Sequence, residues 1–233
     1  MKIIGVIGGI GPESTIEYYR HLVEFHREFA GTGYPPVVIS SIDLDRMIEL
    51  FEGNRLAEVT RYLTDELARL ARAGAEVALI SANTPHVVFD DVQRTSPIPL
   101  VSIVQATLEE AKARGFARLG LFGTRFTMMG GFYQPVFERG GVSLAVPDAA
   151  ERDIIHEKYL GELVRGVFLP ATHDRLVAIA RRLRDEEGIE GLILGGTELP
   201  LILRDERTVG LPLLDTARIH ARSIVVRARG GAL

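Results

Sequence analysis

The chain alternates short apolar runs with longer amphipathic segments, and this alternation constrains its fold more than any other feature. Continuous Val/Ile/Leu runs are typical of parallel strands that are buried on both faces. Residues 55–73, by contrast, place Leu56, Val59, Leu63 and Leu67 at steps of three or four, which is one face of a helix. The sequence therefore predicts an α/β fold with open, doubly wound parallel sheets.

The individual elements follow from the same pattern. Strands are predicted at residues 3–7, 36–40, 77–80, 100–103, 119–122, 142–146 and 192–194. Helices are predicted at residues 14–29, 55–73, 103–114, 148–164, 171–187 and 215–228, with a short one at 199–203.

The strand–loop–helix pattern also repeats along the chain. Gly9 and Gly123 each follow a predicted strand and lie 114 positions apart, and Ala82 and Gly196 lie in two later loops with the same offset. This repeat predicts two similar Rossmann-like halves, each with a mainly parallel sheet flanked by helices. Because open α/β sheets bind ligands beyond the carboxyl ends of their strands, a ligand cleft is expected between the halves.

Composition excludes several classes of function. With 46% apolar and 25% charged residues and a net charge of −4, the chain is ordinary for a globular protein, and without a Lys/Arg block it is a poor candidate for nucleic-acid binding. It has no apolar run of about 18 residues for a membrane span, and its apolar start is too short for a signal peptide, so a cytoplasmic location is expected. The absence of cysteine excludes disulfides, thiolate metal sites and thiol nucleophiles, and no metal site is predicted.

The first loop that could hold a ligand is Gly8-Gly9-Ile10-Gly11-Pro12. A dinucleotide fingerprint counted from Gly9 would require a glycine where Ser14 stands, so this is not that motif. Backbone amides around Gly9 and Gly11, at the start of a helix, are suited to holding a carboxylate or phosphate. The alternative is a tight strand-to-helix turn that needs glycine for its conformation.

A second loop places Asn83, Thr84 and His86 after the predicted strand 77–80. The amide and hydroxyl groups of Asn83 and Thr84 suit the carboxylate and ammonium of an amino acid, but both residue types also cap helices. His86 has the chemistry to titrate near neutrality and act as an acid or base, although a lone histidine is more often structural.

Two further loops follow strands of the second half. Thr197 and Glu198 have the chemistry to orient a ligand ammonium, and Glu198 could act as a base, although acidic residues also favour the first turn of a helix. Thr124 and Thr127 offer hydroxyls to the ligand, whereas Tyr133 is expected to pack a helix.

Two arginines complete the candidate pocket. Arg46 lies just beyond the second predicted strand, and Arg165 is expected at the end of the helix that contains His156. An arginine can hold a distal carboxylate with two parallel hydrogen bonds. The alternatives are an exposed surface charge for Arg46 and a helix C-terminal cation for Arg165.

Together these motifs resemble the aspartate/glutamate racemase family, within the Asp/Glu/hydantoin racemase superfamily. The matching segments are Gly8-Gly9-Ile10-Gly11-Pro12, Asn83-Thr84-Pro85-His86, Gly123-Thr124-Arg125-Phe126-Thr127 and Gly195-Gly196-Thr197-Glu198, and their order spans essentially the whole chain. The resemblance implies amino-acid racemisation without a cofactor, a small amino acid or carboxylate as ligand, and a homodimer. It also implies that the last helix returns to the first half, which gives halves of residues 1–98 with 208–233, and 99–207. Arg46 and Arg165 fall near family positions that bind the side-chain carboxylate.

The chain departs from the family at the two residues that exchange the α-proton. Where the family carries thiols, this chain has Ala82 and Gly196, and neither has a group that can exchange a proton. A general acid–base group typically contributes about a hundred- to ten-thousand-fold in rate, so the loss of both predicts weak or absent racemisation. Three hypotheses remain: an isomerase or lyase that uses Glu198, His86 or Glu13, a binding protein without catalysis, or a racemase altered by engineering.

Overall fold

The computed structural model describes residues 1–231, and its elements alternate as predicted. The strands are β1 (Ile4–Gly8), β2 (Val37–Ser41), β3 (Val77–Ile80), β4 (Arg118–Gly123), β5 (Ser143–Ala145), β6 (Gly191–Gly195) and β7 (Leu213–Asp215). The α-helices are α1 (Pro12–Ala30), α2 (Leu44–Glu52), α3 (Leu56–Arg72), α4 (Phe89–Thr95), α5 (Ile103–Ala113), α6 (Arg125–Met129), α7 (Gln134–Arg139), α8 (Ala149–Gly161), α9 (Pro170–Glu187), α10 (Leu199–Ile202), α11 (Glu206–Val209) and α12 (Thr216–Ala228). Short 3-10 helices cover Thr84–Val88 and Leu163–Arg165.

The strands form two sheets, and neighbouring strands within each sheet are parallel. One sheet has the order β2-β1-β3 and the other the order β5-β4-β6-β7. The first three strands of each sheet therefore follow the same order, with β1 and β4 in corresponding places. Helices flank both sheets, which confirms the predicted α/β class.

The chain divides into two compact units. One contains Met1–Ile103 and the chain from Ala217 onward, and the other contains Val104–Thr216. The predicted divisions, after residues 98 and 207, lie earlier in the chain. The second division lies later because β7 pairs with β6 and so belongs to the second sheet.

Each unit has its own apolar core. In the first unit, one cluster joins the inner face of α3 to β1 and β3, and another joins α1 and α12 to the opposite face of the same sheet. In the second unit, one cluster joins α8 and α9 to β4 and β6. None of the helices within residues 1–231 has the combination of length and apolar character needed to cross a bilayer.

Some predicted elements differ from the observed ones. Residues 100–103 do not form a strand, because Leu100 makes only an isolated bridge to Ala78 and Ile103 already begins α5. The helix predicted at 148–164 ends at Gly161, and Arg165 lies in a separate 3-10 turn that is closed by Gly166 in the left-handed conformation. Arg165 therefore does not end the helix that contains His156.

Candidate functional site

The glycine loop after β1 is held in place by its own hydrogen bonds. The Gly9 amide donates to Thr15 Oγ1 at 2.8 Å, and Ser14 Oγ donates to the Gly11 carbonyl at 2.8 Å. Gly9 has a positive φ of 86°, and a Cβ there would lie 2.7 Å from the Ile42 amide and closer still to its carbonyl oxygen. Gly9 is thus required by the turn, and Gly11 lies at the N-cap of α1.

The loop after β3 is buried and polar. Ser81 Oγ donates to the Ile7 carbonyl at 2.9 Å and ties this loop to β1. Ala82 and Asn83 follow, and both are buried. The backbone carbonyl of Asn83 accepts a hydrogen bond from the His86 amide at 2.9 Å. The Asn83 side chain makes no capping bond to the Thr84–Val88 helix within the described chain. Helix capping therefore does not account for the Asn83 side chain.

His86 connects two backbone segments. Its Nε2 accepts the Ile103 amide at 3.1 Å, which leaves the proton on Nδ1 to be donated to the Ala82 carbonyl at 2.9 Å. The ring stacks on Phe89 and meets the ring of His220 edge-on. Burial, reinforced by the nearby His220, lowers the pKa of His86 to about 3, so the ring is neutral at pH 7. Both nitrogens are used in holding the loop in this structure.

A second buried histidine, which the sequence analysis did not single out, lies beside it. His220 Nδ1 accepts a hydrogen bond from the Tyr18 hydroxyl at 2.9 Å, and Nε2 donates to the Val101 carbonyl at 2.8 Å. Burial lowers the pKa of His220 to about 4. The two neutral histidines thus tie α12, α1 and the segment before α5 to the loop that carries Asn83.

In the second unit, the ends of β4 and β6 lie side by side. Gly123 and Gly195 are paired in register, and a Cβ on Gly123 would lie 2.8 Å from Thr127 Cβ. Thr124 caps α6 by accepting the Thr127 amide at 3.2 Å, and both threonines are buried. The predicted hydroxyls of Thr124 and Thr127 therefore lie together at this strand end.

Gly196, immediately after β6, faces the ring of Tyr159. A Cβ built on Gly196 would lie 2.8 Å from Tyr159 Cζ and 2.9 Å from its hydroxyl oxygen, and closer still to Cε2. Real Cβ contacts are essentially never shorter than 3.0 Å. The side chain of Tyr159, which extends from α8, therefore fills the space that any side chain at position 196 would occupy.

The Tyr159 hydroxyl is bound by Glu198. Tyr159 donates a hydrogen bond to Glu198 Oε2, and Thr197 Oγ1 donates to the same oxygen at 3.0 Å. All three residues are buried. Burial, together with the adjacent Glu198 carboxylate, raises the pKa of Tyr159 well above its ordinary value. Glu198 precedes α10 but makes no side-chain capping bond to it within the described residues, so capping is not its role.

The two candidate arginines are both exposed. Arg46 lies in the first turn of α2, after β2, and its guanidinium stacks over the Tyr62 ring at 4.4 Å. Arg165 lies in the turn that follows α8. Among residues 1–231, no group of three or more His, Asp or Glu side chains is arranged to hold a metal ion.

Comparison with known proteins identifies the relatives of this fold. The family model described as Asp/Glu/Hydantoin racemase matches residues 7–224. The chain belongs to this family. An aspartate racemase homologue from Pyrococcus horikoshii OT3 has 39% identity and a TM-score of 0.83, over 98% of this chain and 100% of that one.

Two other relatives extend the comparison. A candidate Asp/Glu racemase from Yersinia pestis is 31% identical, with a TM-score of 0.89 over 98% of this chain and 100% of its own. The broad specificity amino-acid racemase RacX of Bacillus subtilis (strain 168) is 22% identical over 96% of both chains. These similarities extend over nearly the whole chain, as the resemblance in sequence implied.

Positions 82 and 196, where the resemblance in sequence implied thiols, carry no acid–base group in this chain. The side chain of Ala82 is a methyl group. Gly196 has no side chain, and the Tyr159 ring fills the space beside it. Sequence reasoning missed Tyr159, since nothing in the local pattern of α8 distinguishes it from a core residue. The sequence contained one indication of such a residue, which was Gly196 itself. A glycine at the position of the second thiol leaves space that another side chain can fill.

Proposed function

We propose that this protein binds aspartate, glutamate or a related small carboxylate and racemises it weakly or not at all. Membership of the Asp/Glu/hydantoin racemase family supports the ligand class. The residues at positions 82 and 196 support the weak racemisation, because neither carries a group that can take up or release a proton.

The observation that carries the proposal is the contact between Gly196 and Tyr159. If the second thiol were merely absent, position 196 would face open space. Instead the Tyr159 ring fills that space and is fixed by its bond to Glu198. The loop is therefore built around the glycine, which argues against a single engineered replacement of a catalytic residue.

We assign ligand binding to the polar loops at the strand ends. Asn83, Thr84, Thr124, Thr127 and Thr197 offer amide and hydroxyl groups that suit an α-carboxylate and an ammonium. Arg46 and Arg165 are assigned to the distal carboxylate, for which an exposed guanidinium has the necessary reach. Gly9 and Gly11 shape the first loop. No cofactor is assigned, and His86 serves to hold the Asn83 loop.

Isothermal titration calorimetry with L- and D-aspartate and L- and D-glutamate tests this function. We expect saturable binding of at least one of the four, weakened about ten- to a hundredfold by Arg46→Ala, because a charged hydrogen bond contributes about 1.5–3 kcal/mol. Arg61→Ala is the matched control, since Arg61 is an exposed arginine on α3 with a 3.6 Å contact to Glu58. Absence of binding by all four would overturn the proposal, and equal weakening by both variants would remove Arg46 from the site.

The homodimer implied by the family is part of the same proposal. Light scattering on the eluting peak of a size-exclusion column is expected to give twice the chain mass of 25.6 kDa. A peak at the mass of one chain would contradict this expectation, but it would leave the ligand assignment unchanged.

A further inference from the structure

The buried pair of Tyr159 and Glu198 has no part in a two-thiol mechanism, yet it stands at the position of the second thiol. The Tyr159 oxygen lies 2.9 Å from where a Cβ on Gly196 would be. Glu198 Oε2 accepts hydrogen bonds from both Tyr159 and Thr197. A phenolic hydroxyl and a carboxylate are therefore linked at the place in this unit where the family's chemistry needs a proton-transfer group.

We propose that Tyr159 replaces the second thiol and exchanges the α-proton of a bound amino acid at one face, with Glu198 as the acceptor behind it. This inference rests on the proposed function, because it requires that an amino acid binds. It assigns to Tyr159 a catalytic role and to Glu198 a proton-storing role.

The proposed step conserves atoms and charge. The Cα–H bond breaks and its proton passes to the Tyr159 oxygen, while the Tyr159 proton passes along the existing hydrogen bond to Glu198 Oε2. The electron pair stays on the substrate, delocalised into its carboxylate. In the interval the Tyr159 hydroxyl exchanges the proton that it took from the α-carbon with solvent. Reversal then passes this solvent-derived proton from Tyr159 to the α-carbon, while Glu198 returns its proton to Tyr159.

A relay fits this pair better than a free phenolate does. Burial and the adjacent carboxylate raise the pKa of Tyr159, so the phenol remains protonated at neutral pH. A protonated phenol accepts a proton only if it releases its own at the same time, and Glu198 is hydrogen-bonded to receive it. Thr197 holds the same carboxylate oxygen and fixes its orientation.

The proposal makes a stereochemical prediction. With Ala82 at the position of the other thiol, this chain has no proton donor there, so the proton returns to the face from which it came. Exchange should therefore occur with retention of configuration. It should also be confined to one enantiomer, the one whose α-hydrogen points toward Tyr159.

Proton NMR in deuterium oxide, with L- and D-aspartate and L- and D-glutamate in separate samples, tests this. We expect loss of the α-proton signal for one enantiomer only, without formation of the other. Tyr159→Phe and Glu198→Gln should each slow the exchange at least about a hundredfold. Tyr133→Phe is the control, since Tyr133 is also buried in this unit but bonds to Thr107, and it should leave the rate unchanged.

The outcomes separate the two proposals. Calorimetric binding without exchange overturns this inference and leaves the proposed function standing, whereas absence of binding overturns both. Exchange of both enantiomers, inversion, or an unchanged rate in Tyr159→Phe also overturns the inference. Should Tyr159→Phe fail to fold, as circular dichroism would reveal, Glu198→Gln decides the result alone.

Discussion

The ring of Tyr159 occupies the space that a side chain at position 196 would need, so Gly196 and Tyr159 depend on each other. A Cβ on Gly196 would come within 2.8 Å of Tyr159 Cζ, and the ring cannot easily turn away because its hydroxyl is bonded to Glu198. The loss of a thiol at this position is thus accompanied by a replacement, and the variants below test that dependence.

Gly196→Ala should destabilise the protein by about 1–3 kcal/mol, the usual cost of overpacking a core. In Tyr159→Leu, which opens the space, the same substitution should cost much less, and the double-mutant cycle should give a coupling energy of about 1 kcal/mol or more. Urea denaturation of each single variant and of the double variant measures their free energies of unfolding. Gly161→Ala is the control, because a Cβ at the end of α8 meets nothing within 4 Å. Additive effects of the 196 and 159 substitutions would contradict the dependence.

Restoring both thiols should not by itself restore racemisation. In the double variant Ala82→Cys with Gly196→Cys, the second cysteine collides with Tyr159 in the same way as alanine does. Adding Tyr159→Ala opens the space, and this triple variant should interconvert aspartate enantiomers faster than the double variant, as measured by chiral chromatography. Full activity in the double variant would show that Tyr159 moves aside readily.

Gly9→Ala should destabilise the protein more than Gly31→Ala. Both glycines have positive φ, 86° and 76°, so each substitution incurs the strain of the left-handed region, about 1 kcal/mol or more. At Gly31 a Cβ meets nothing within 4 Å, whereas at Gly9 it collides with the backbone of Ile42. The difference in melting temperature between the two variants measures the cost of the contact with Ile42. Equal losses of stability in both variants would contradict this cost.

Acid should destabilise the first unit through its two buried histidines. The folded pKa values of His86 and His220 are lowered to about 3 and about 4, below the unfolded value of 6.5. The unfolded chain therefore binds more protons below pH 6.5, and stability falls as pH drops, by up to about 1.4 kcal/mol per pH unit for each histidine. The loss from His220 ends near pH 4 and that from His86 near pH 3.

Denaturation of His86→Gln across pH 4–7 checks this dependence. The variant is less stable at pH 7, because glutamine does not reproduce the stacking on Phe89. Its stability should nevertheless fall less steeply with acid than that of the unsubstituted protein. An identical slope in both proteins would show that His86 does not contribute to the acid sensitivity.

The fold was predictable because a sufficiently long apolar run indicates a buried parallel strand. β3 lies at residues 77–80 as predicted, and the other long strands differ by one or two residues at their ends. β7 (Leu213–Asp215) was missed because its apolar run, Leu213-Leu214, is only two residues long and follows Pro212. The strand predicted at 100–103 was wrong because its apolar residues are buried by a bridge and by the start of α5.

The site was predictable only where its residues follow strands directly. Asn83, Thr124 and Glu198 lie in such loops, and all three are buried. The pairings of Tyr159 with Glu198 and of His86 with Ile103 join distant parts of the chain, so no local pattern contains them. A sequence shows which groups are present, whereas burial and hydrogen bonding decide which of them remain available for chemistry.

The most direct test of the central claim is the enantiomeric composition of L-aspartate and L-glutamate after incubation with a stoichiometric amount of the protein, read by chiral chromatography. Because neither Ala82 nor Gly196 can exchange a proton, we predict no D-enantiomer above the level in buffer alone. Formation of the D-enantiomer at about one turnover per second or more, the rate of an ordinary enzyme, would contradict the account.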